Sequence, residues 1–176
     1  MAQFKAFNLR QWIDEHRNLL KPPVGNAAVW QDTEFIVMVV GGPNARKDFH
    51  INAGEEFFYQ LEGDINLRLM VDGRPEDVPI KEGDVFLLPP LIPHSPQRGA
   101  GTIGLVIERQ RKPEEVDHLR WFCESCNDVL HDASFKLNDI SKQLKSHMEG
   151  FYSNQSLRTC RACGSVMQPP TPPPAA

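Results

Sequence analysis

From Ala27 to Glu108 the chain is a succession of short apolar runs, AAVW, FIVMVV, FFYQLEG, INLRLMVDG, VPI, DVFLLP and TIGLVIE, broken by Gly, Pro, Asn and Asp. None is long enough, or spaced at the right interval, to bury one face of a helix. Close-set runs with a turn such as Val71-Asp72-Gly73-Arg74 fold as antiparallel sheet. The expected fold class is mainly β, a small antiparallel β-barrel or jelly roll that no helix interrupts.

Helices are expected only at the flanks. Asn8 is a good N-cap, and Leu9, Trp12, Ile13, His16, Leu19 and Leu20 share one helical face ahead of Pro22 and Pro23. In the last third, Leu137, Ile140, Leu144 and Met148 recur at helical spacing. That second helix lies between Cys123/Cys126 and Cys160/Cys163, two pairs that account for all four cysteines. Four thiolates in two C-x2-C knuckles make the closed tetrahedral shell of a structural metal, zinc or a rubredoxin-type iron, with no position left for chemistry. The expected organisation is a barrel with its N-terminal helix over residues 1–112, a four-cysteine segment over 113–167 and a mobile Pro-rich tail over 168–176.

A length of 176 residues suffices for a real core. The net charge of −4 and the lack of a dense basic run argue against a nucleic-acid partner. No apolar stretch approaches the roughly 20 residues of a membrane span, and the opening MAQFKAFNLRQW has no apolar signal core. A cytoplasmic location is expected, where paired cysteines favour metal over disulfides.

Two polar stretches interrupt the apolar text. KDFHINAGEEFFYQLEGD sets a histidine and a doubled glutamate among residues that otherwise read as buried, and PPLIPHSPQR carries a second histidine. In the first, Gly42 is followed after five residues by Asp48, then His50 and Glu56, and after six more by Gly63. In the second, Gly83 is followed after five residues by Pro89, then Leu91, His94 and Arg98. These spacings resemble the two cupin motifs, G-x5-H-x-H-x3,4-E-x6-G and G-x5-P-x-G-x2-H-x3-N, with substitutions at several points. Two imidazoles and a carboxylate on adjacent strands can bind one face of Fe(II) and leave the opposite positions open. The candidate ligands are His50, Glu56 and His94. Glu56 is preferred to Glu55 on its six-residue gap to Gly63.

The departures from the pattern carry information. Asp48 and Asn52 flank His50, so one usual imidazole is missing and room remains for a bidentate substrate beside dioxygen. Arg98 replaces the closing asparagine, and Arg46 precedes the first histidine. A guanidinium fork recognises carboxylates, so the two arginines suggest an anionic substrate; solvated surface charge is the alternative. On TIGLVIER, Thr102, Gly104, Val106 and Glu108 share one strand face. Small residues beside a carboxylate suit a cavity wall, with Glu108 orienting a polar group of the substrate or pairing with an arginine.

A one-domain cupin with H-x5-E, a distant histidine, arginines at both motif edges and two cysteine knuckles resembles the bacterial 3-hydroxyanthranilate 3,4-dioxygenases, from NLRQWIDEHRNLLKPPVGN to CRACG. The resemblance implies catalytic Fe(II) on His50, Glu56 and His94, a second Fe or Zn on Cys123, Cys126, Cys160 and Cys163, and substrate contacts from Arg46, Arg98, Glu108 and Asn26. It further implies a homodimer, and ring opening of 3-hydroxyanthranilate by O2 to 2-amino-3-carboxymuconate semialdehyde, the precursor of quinolinate and NAD in the kynurenine branch of tryptophan catabolism. The residues alone also admit an Fe(II) cupin dioxygenase for another aromatic or thiol acid, or a non-catalytic cupin that binds a small acid.

Overall fold

The computed structural model describes residues 5–20, 25–30, 32–138 and 140–171, with backbone alone at 140 and 141. Pro22 and Pro23, expected to stop the first helix, and the last five residues of the expected tail (172–176) lie outside them. One antiparallel sheet contains β1 (Asn26–Trp30), β2 (Phe35–Gly41), β4 (Glu56–Glu62), β7 (Val85–Leu88) and β9 (Ile103–Arg109), in the order β1-β2-β9-β4-β7. The other contains β3 (Asp48–Ile51), β5 (Ile65–Val71), β6 (Arg74–Ile80), β8 (His94–Arg98), β10 (Asp117–Phe122) and β11 (Val129–Phe135), in the order β11-β10-β3-β8-β5-β6. The two sheets do not close into a barrel; they face each other as a jelly-roll sandwich.

Each apolar run supplies alternate side chains to the interior. Met38, Phe58, Leu88 and Val106 from the first sheet pack against Ile65, Leu67, Leu69 and Ile80 from the second. Full burial of a side chain such as Leu67 is worth about 1.5–3 kcal/mol. The β5–β6 hairpin turns where expected, with Asp72 and Gly73 both at positive φ, the backbone of a tight two-residue turn whose twist matches the strands.

Helix α1 (Leu9–His16) is capped by Asn8, whose side chain accepts from the Gln11 backbone, and it lays Leu9, Trp12 and Ile13 on Val39, Ala27 and Ile103 of the first sheet's outer face. The chain then tightens into a 3₁₀ turn at Arg17–Leu19, which keeps Leu20 buried but turns Leu19 to solvent. Helix α2 (Ile140–Ser153) begins later than the spacing suggests, because Leu137 lies only two residues past the end of β11. Among the described residues no helix is long and apolar enough to cross a membrane.

The segment after residue 112 is more than knuckles and a helix. β3 needs a partner on its second edge, and β10 provides it, with Leu119 opposite His50 and Trp121 opposite Asp48. The six-stranded sheet thus takes β3, β5, β6 and β8 from before residue 112 and β10 and β11 from after it.

Candidate active site

Two strands that line the interior carry polar residues twice, four positions apart, and a third pairs a glycine with a glutamate at the same interval. Glu56 and Gln60 stand on β4, His94 and Arg98 on β8, Gly104 and Glu108 on β9. The register places Glu56 opposite Glu108, Gln60 opposite Gly104 and His94 opposite His50. Four residues of strand span roughly 13 Å, so the interior has two polar layers, with Phe58 and Val106 of the core between them.

In the first layer Glu56 Oε1 lies 3.5 Å from His50 Nδ1 and 3.2 Å from His94 Nε2, all three side chains being buried. Each imidazole is held from behind. His50 Nε2 donates to Asp117 Oδ2 at 2.7 Å and His94 Nδ1 donates to the Ile92 carbonyl at 3.0 Å. Since those acceptors hold a hydrogen on the far nitrogen, each neutral imidazole would turn the lone pair of its near nitrogen, His50 Nδ1 or His94 Nε2, toward the carboxylate, an arrangement suited to a metal ion. Burial pushes the Glu56 carboxyl up, but His94 and His50 hold it well below the usual carboxylate range. Burial depresses His50, and its bonds to Asp117 and Glu56 nevertheless raise it to about 9.

Glu108 stands beside this group. Its Oε2 receives Arg111 at 2.7 Å and Asn52 Nδ2 at 3.2 Å, and Asn52 also donates to Glu56 Oε1 at 2.9 Å. Burial and the charge of Glu56 raise the Glu108 carboxyl, against the pull of Arg111. Taken together, Glu56, Glu108 and Asp117 place three carboxylates against the single guanidinium of Arg111. Two imidazoles and a carboxylate converging in an acid-rich interior make a donor set that fits a divalent metal.

The second layer has the opposite balance. Arg98 is 4% exposed, yet Nη1 meets only the neutral Gln60 Oε1 at 3.3 Å and Nε has no hydrogen-bond partner. Burial, and then the charge of Arg46, lower its pKa to about 10. Arg46 itself is neutralised by Asp48 at 2.5 Å. Among the described residues this buried positive charge meets no carboxylate, and an anionic ligand would satisfy it.

The cysteines form a separate centre. Their four sulfurs converge, with Cys123 3.6 Å from Cys163 and Cys126 3.6 Å from Cys160. The two knuckles repeat one backbone pattern. Cys123 N donates to Asp128 O and Asn127 N to Cys123 O, just as Cys160 N donates to Ser165 O and Gly164 N to Cys160 O. Asn127 and Gly164 occupy matching positions at positive φ, a conformation that Gly and Asn tolerate best. Between the knuckles, Phe151 of α2 stacks on Trp121 with ring centroids 4.2 Å apart, which fastens this centre to the six-stranded sheet.

The structure thus brings His50, Glu56, His94 and Glu108 together, buries Arg98 beyond them with Arg46 near enough for its charge to be felt, and gathers the four cysteines elsewhere. Glu55 is exposed while Glu56 is buried, as strand alternation requires. Asn26 stands on the row of Val40 and Gly104, two strands from Gly104, roughly 10 Å away at the sheet edge. The sequence reading passed over Asp117, Arg111 and Gln60. Asp117 had a signal, an acid in phase with Leu119 and Trp121 on a buried strand face. Arg111, in RQRKPEE, had none.

The family model for 3-hydroxyanthranilic acid dioxygenase matches residues 1–152. Two curated proteins named 3-hydroxyanthranilate 3,4-dioxygenase are similar over nearly the whole chain. The one from Bacillus thuringiensis (strain Al Hakam) is 49% identical over 93% of this chain and 92% of its own. The one from Xanthomonas euvesicatoria pv. vesicatoria (strain 85-10) is 53% identical over the same shares. Among solved structures, a cupin-2 domain containing protein from Shewanella frigidimarina is 13% identical with a TM-score of 0.46, covering 60% of this chain and 95% of that one.

Proposed function

The chain belongs to the 3-hydroxyanthranilic acid dioxygenase family, and on that premise we propose that its two interior layers hold a catalytic Fe(II) and the carboxylate of the substrate. The protein is a dioxygenase that opens the ring of 3-hydroxyanthranilate with O2. Both oxygen atoms enter the product, 2-amino-3-carboxymuconate semialdehyde, which leads to quinolinate and NAD.

His50, Glu56 and His94 would hold the iron, and when bound it supplies the site at which O2 and the adjacent hydroxyl and amino groups of the substrate meet. The protein's own groups do the placing. Asp117 and the Ile92 carbonyl keep both imidazoles in the ligating tautomer. Arg98 pairs with the substrate carboxylate, and Arg46, held in place by Asp48, stands near it as a second contact. Glu108 is tethered through Oε2, which leaves Oε1 to accept a hydrogen bond from the substrate's hydroxyl or amino group. Phe58 and Val106 exclude water between the layers. The four cysteines would hold a structural Fe or Zn, and the proposed location is the cytoplasm, where such thiols stay reduced. Asn26 is kept as a more distant contact at the pocket edge.

A homodimer belongs to the same proposal. Trp30, Phe35, Val85 and Leu87 are exposed on the outer face of the first sheet beyond the reach of α1, an apolar area suited to a second copy.

The observation that carries this reading is the buried, unmatched Arg98 four residues along β8 from His94. Oxygen uptake with 3-hydroxyanthranilate under added ferrous iron, with the ring-opened product followed by its absorbance, tests it. Turnover is expected. Tight binding without oxygen uptake, or turnover only of a different acid, would overturn it.

A further inference from the structure

Arg111 is almost fully buried, and its guanidinium spans two carboxylates of different character. Nε and Nη2 hold the two oxygens of Asp117 at 2.7 and 2.8 Å, Nη2 also reaches Glu108 Oε2 at 2.7 Å, and Nη1 donates to the Arg109 carbonyl at 3.1 Å. Asp117 in turn receives His50, while Glu108 shares Asn52 with Glu56. The run of contacts begins at one candidate metal ligand and returns to another, with Arg111 at its centre.

We propose that Arg111 is a positioning residue that couples the metal-holding triad to the carboxylate facing the substrate. The inference rests on the reading of His50, Glu56 and His94 as iron ligands and of Glu108 as a substrate contact. A carboxylate held by one bond can turn about its own axis, whereas two parallel bonds from a planar fork fix its plane. The fork on Asp117 therefore fixes the direction of Oδ2, and with it the ring of His50. Because the same Nη2 also holds Glu108, a shift on one side is felt on the other. Lysine, a point charge without a fork, cannot make these contacts together.

The test uses full-length Arg111→Lys and Arg111→Gln, with folding checked by circular dichroism and the cysteine-bound metal counted by elemental analysis. Fe(II) affinity at the triad is read from the electron paramagnetic resonance of the nitric oxide adduct during titration with a ferrous chelator. KM and kcat for 3-hydroxyanthranilate are then measured at iron saturation. Coupling predicts that both readouts move, with iron affinity falling about 10-fold or more and KM rising by a similar factor although iron is saturating. Wild type measured in parallel separates the two ideas, since wild type without iron binding or turnover would sink the functional reading instead. A folded variant in which only one readout moves, or neither, overturns the coupling. Should both arginine variants fail to fold, Asp117→Asn reads it from the other end. It removes the charge that anchors Arg111, so KM at iron saturation should rise, and an unchanged KM overturns the proposal.

Discussion

Gly104 lies directly under the guanidinium of Arg98: a Cβ on Gly104 would stand 2.9 Å from Nη1 of Arg98 and 2.8 Å from Oε1 of Gln60. The absence of a side chain on β9 is what lets a buried arginine occupy the layer. Gly104→Ala should displace Arg98 at an overpacking cost of about 1–3 kcal/mol. The expected result is a KM raised roughly 10-fold with iron content unchanged. A wild-type KM would mean that Arg98 is not held by this contact.

Arg98 gives a pair of opposite outcomes. A desolvated pair with the substrate carboxylate is worth on the order of 2–4 kcal/mol, so Arg98→Ala should weaken apparent affinity about 30-fold or more, and Arg98→Lys should restore only part of it. Without substrate the same guanidinium is buried and, among the described residues, bonded only to the neutral Gln60. Arg98→Met should therefore melt at a higher temperature than wild type when both are ligand-free. A lower melting temperature would show that the charge is satisfied in the free protein.

Adjacent glutamates should behave as strangers. Glu56→Ala should lose iron at the triad and turnover together, while Glu55→Ala, altered at an exposed position, should keep both. Iron content and oxygen uptake, with the cysteine-bound metal counted separately, decide between them. Loss of iron from Glu55→Ala alone would reverse the assignment.

The cysteine centre should govern stability ahead of chemistry. It ties down α2, whose Phe151 and Leu144 share a buried cluster with Trp121 and Met167. Cys160→Ser should lower the melting temperature or open residues after Phe135 to proteolysis, while folded protein supplied with Fe(II) keeps most of its activity. An intact, protease-resistant variant that retains triad iron but has no turnover would give the second metal a part in catalysis.

Much of this protein was determined locally. Alternation in FFYQLE and TIGLVIE decided which side chains face inward, the Asp72-Gly73 pair decided a hairpin, and the intervals around His50, Glu56 and His94 decided that they belong to one site. Such features depend on a residue's own neighbours, so periodicity and turn chemistry reveal them. Other strands were hidden for the converse reason. HSPQR of β8 is polar and carries a proline, and β10 and β11 follow a charged stretch, so no apolar run announced them. They are strands because β3 and β5 offer open edges to pair with, a condition created far away in the chain. The same holds for the support of the site. His50 and Asp117 are 67 residues apart and meet through the register of β3 with β10, and Arg111 lies in a loop with no periodic signal. Spacing along the chain determined which groups could hold a metal and an acid. Only the pairing of the strands decided which charges were gathered, carboxylates beside the imidazoles and a guanidinium beyond them, because net charge in a closed interior depends on every chain segment that reaches it.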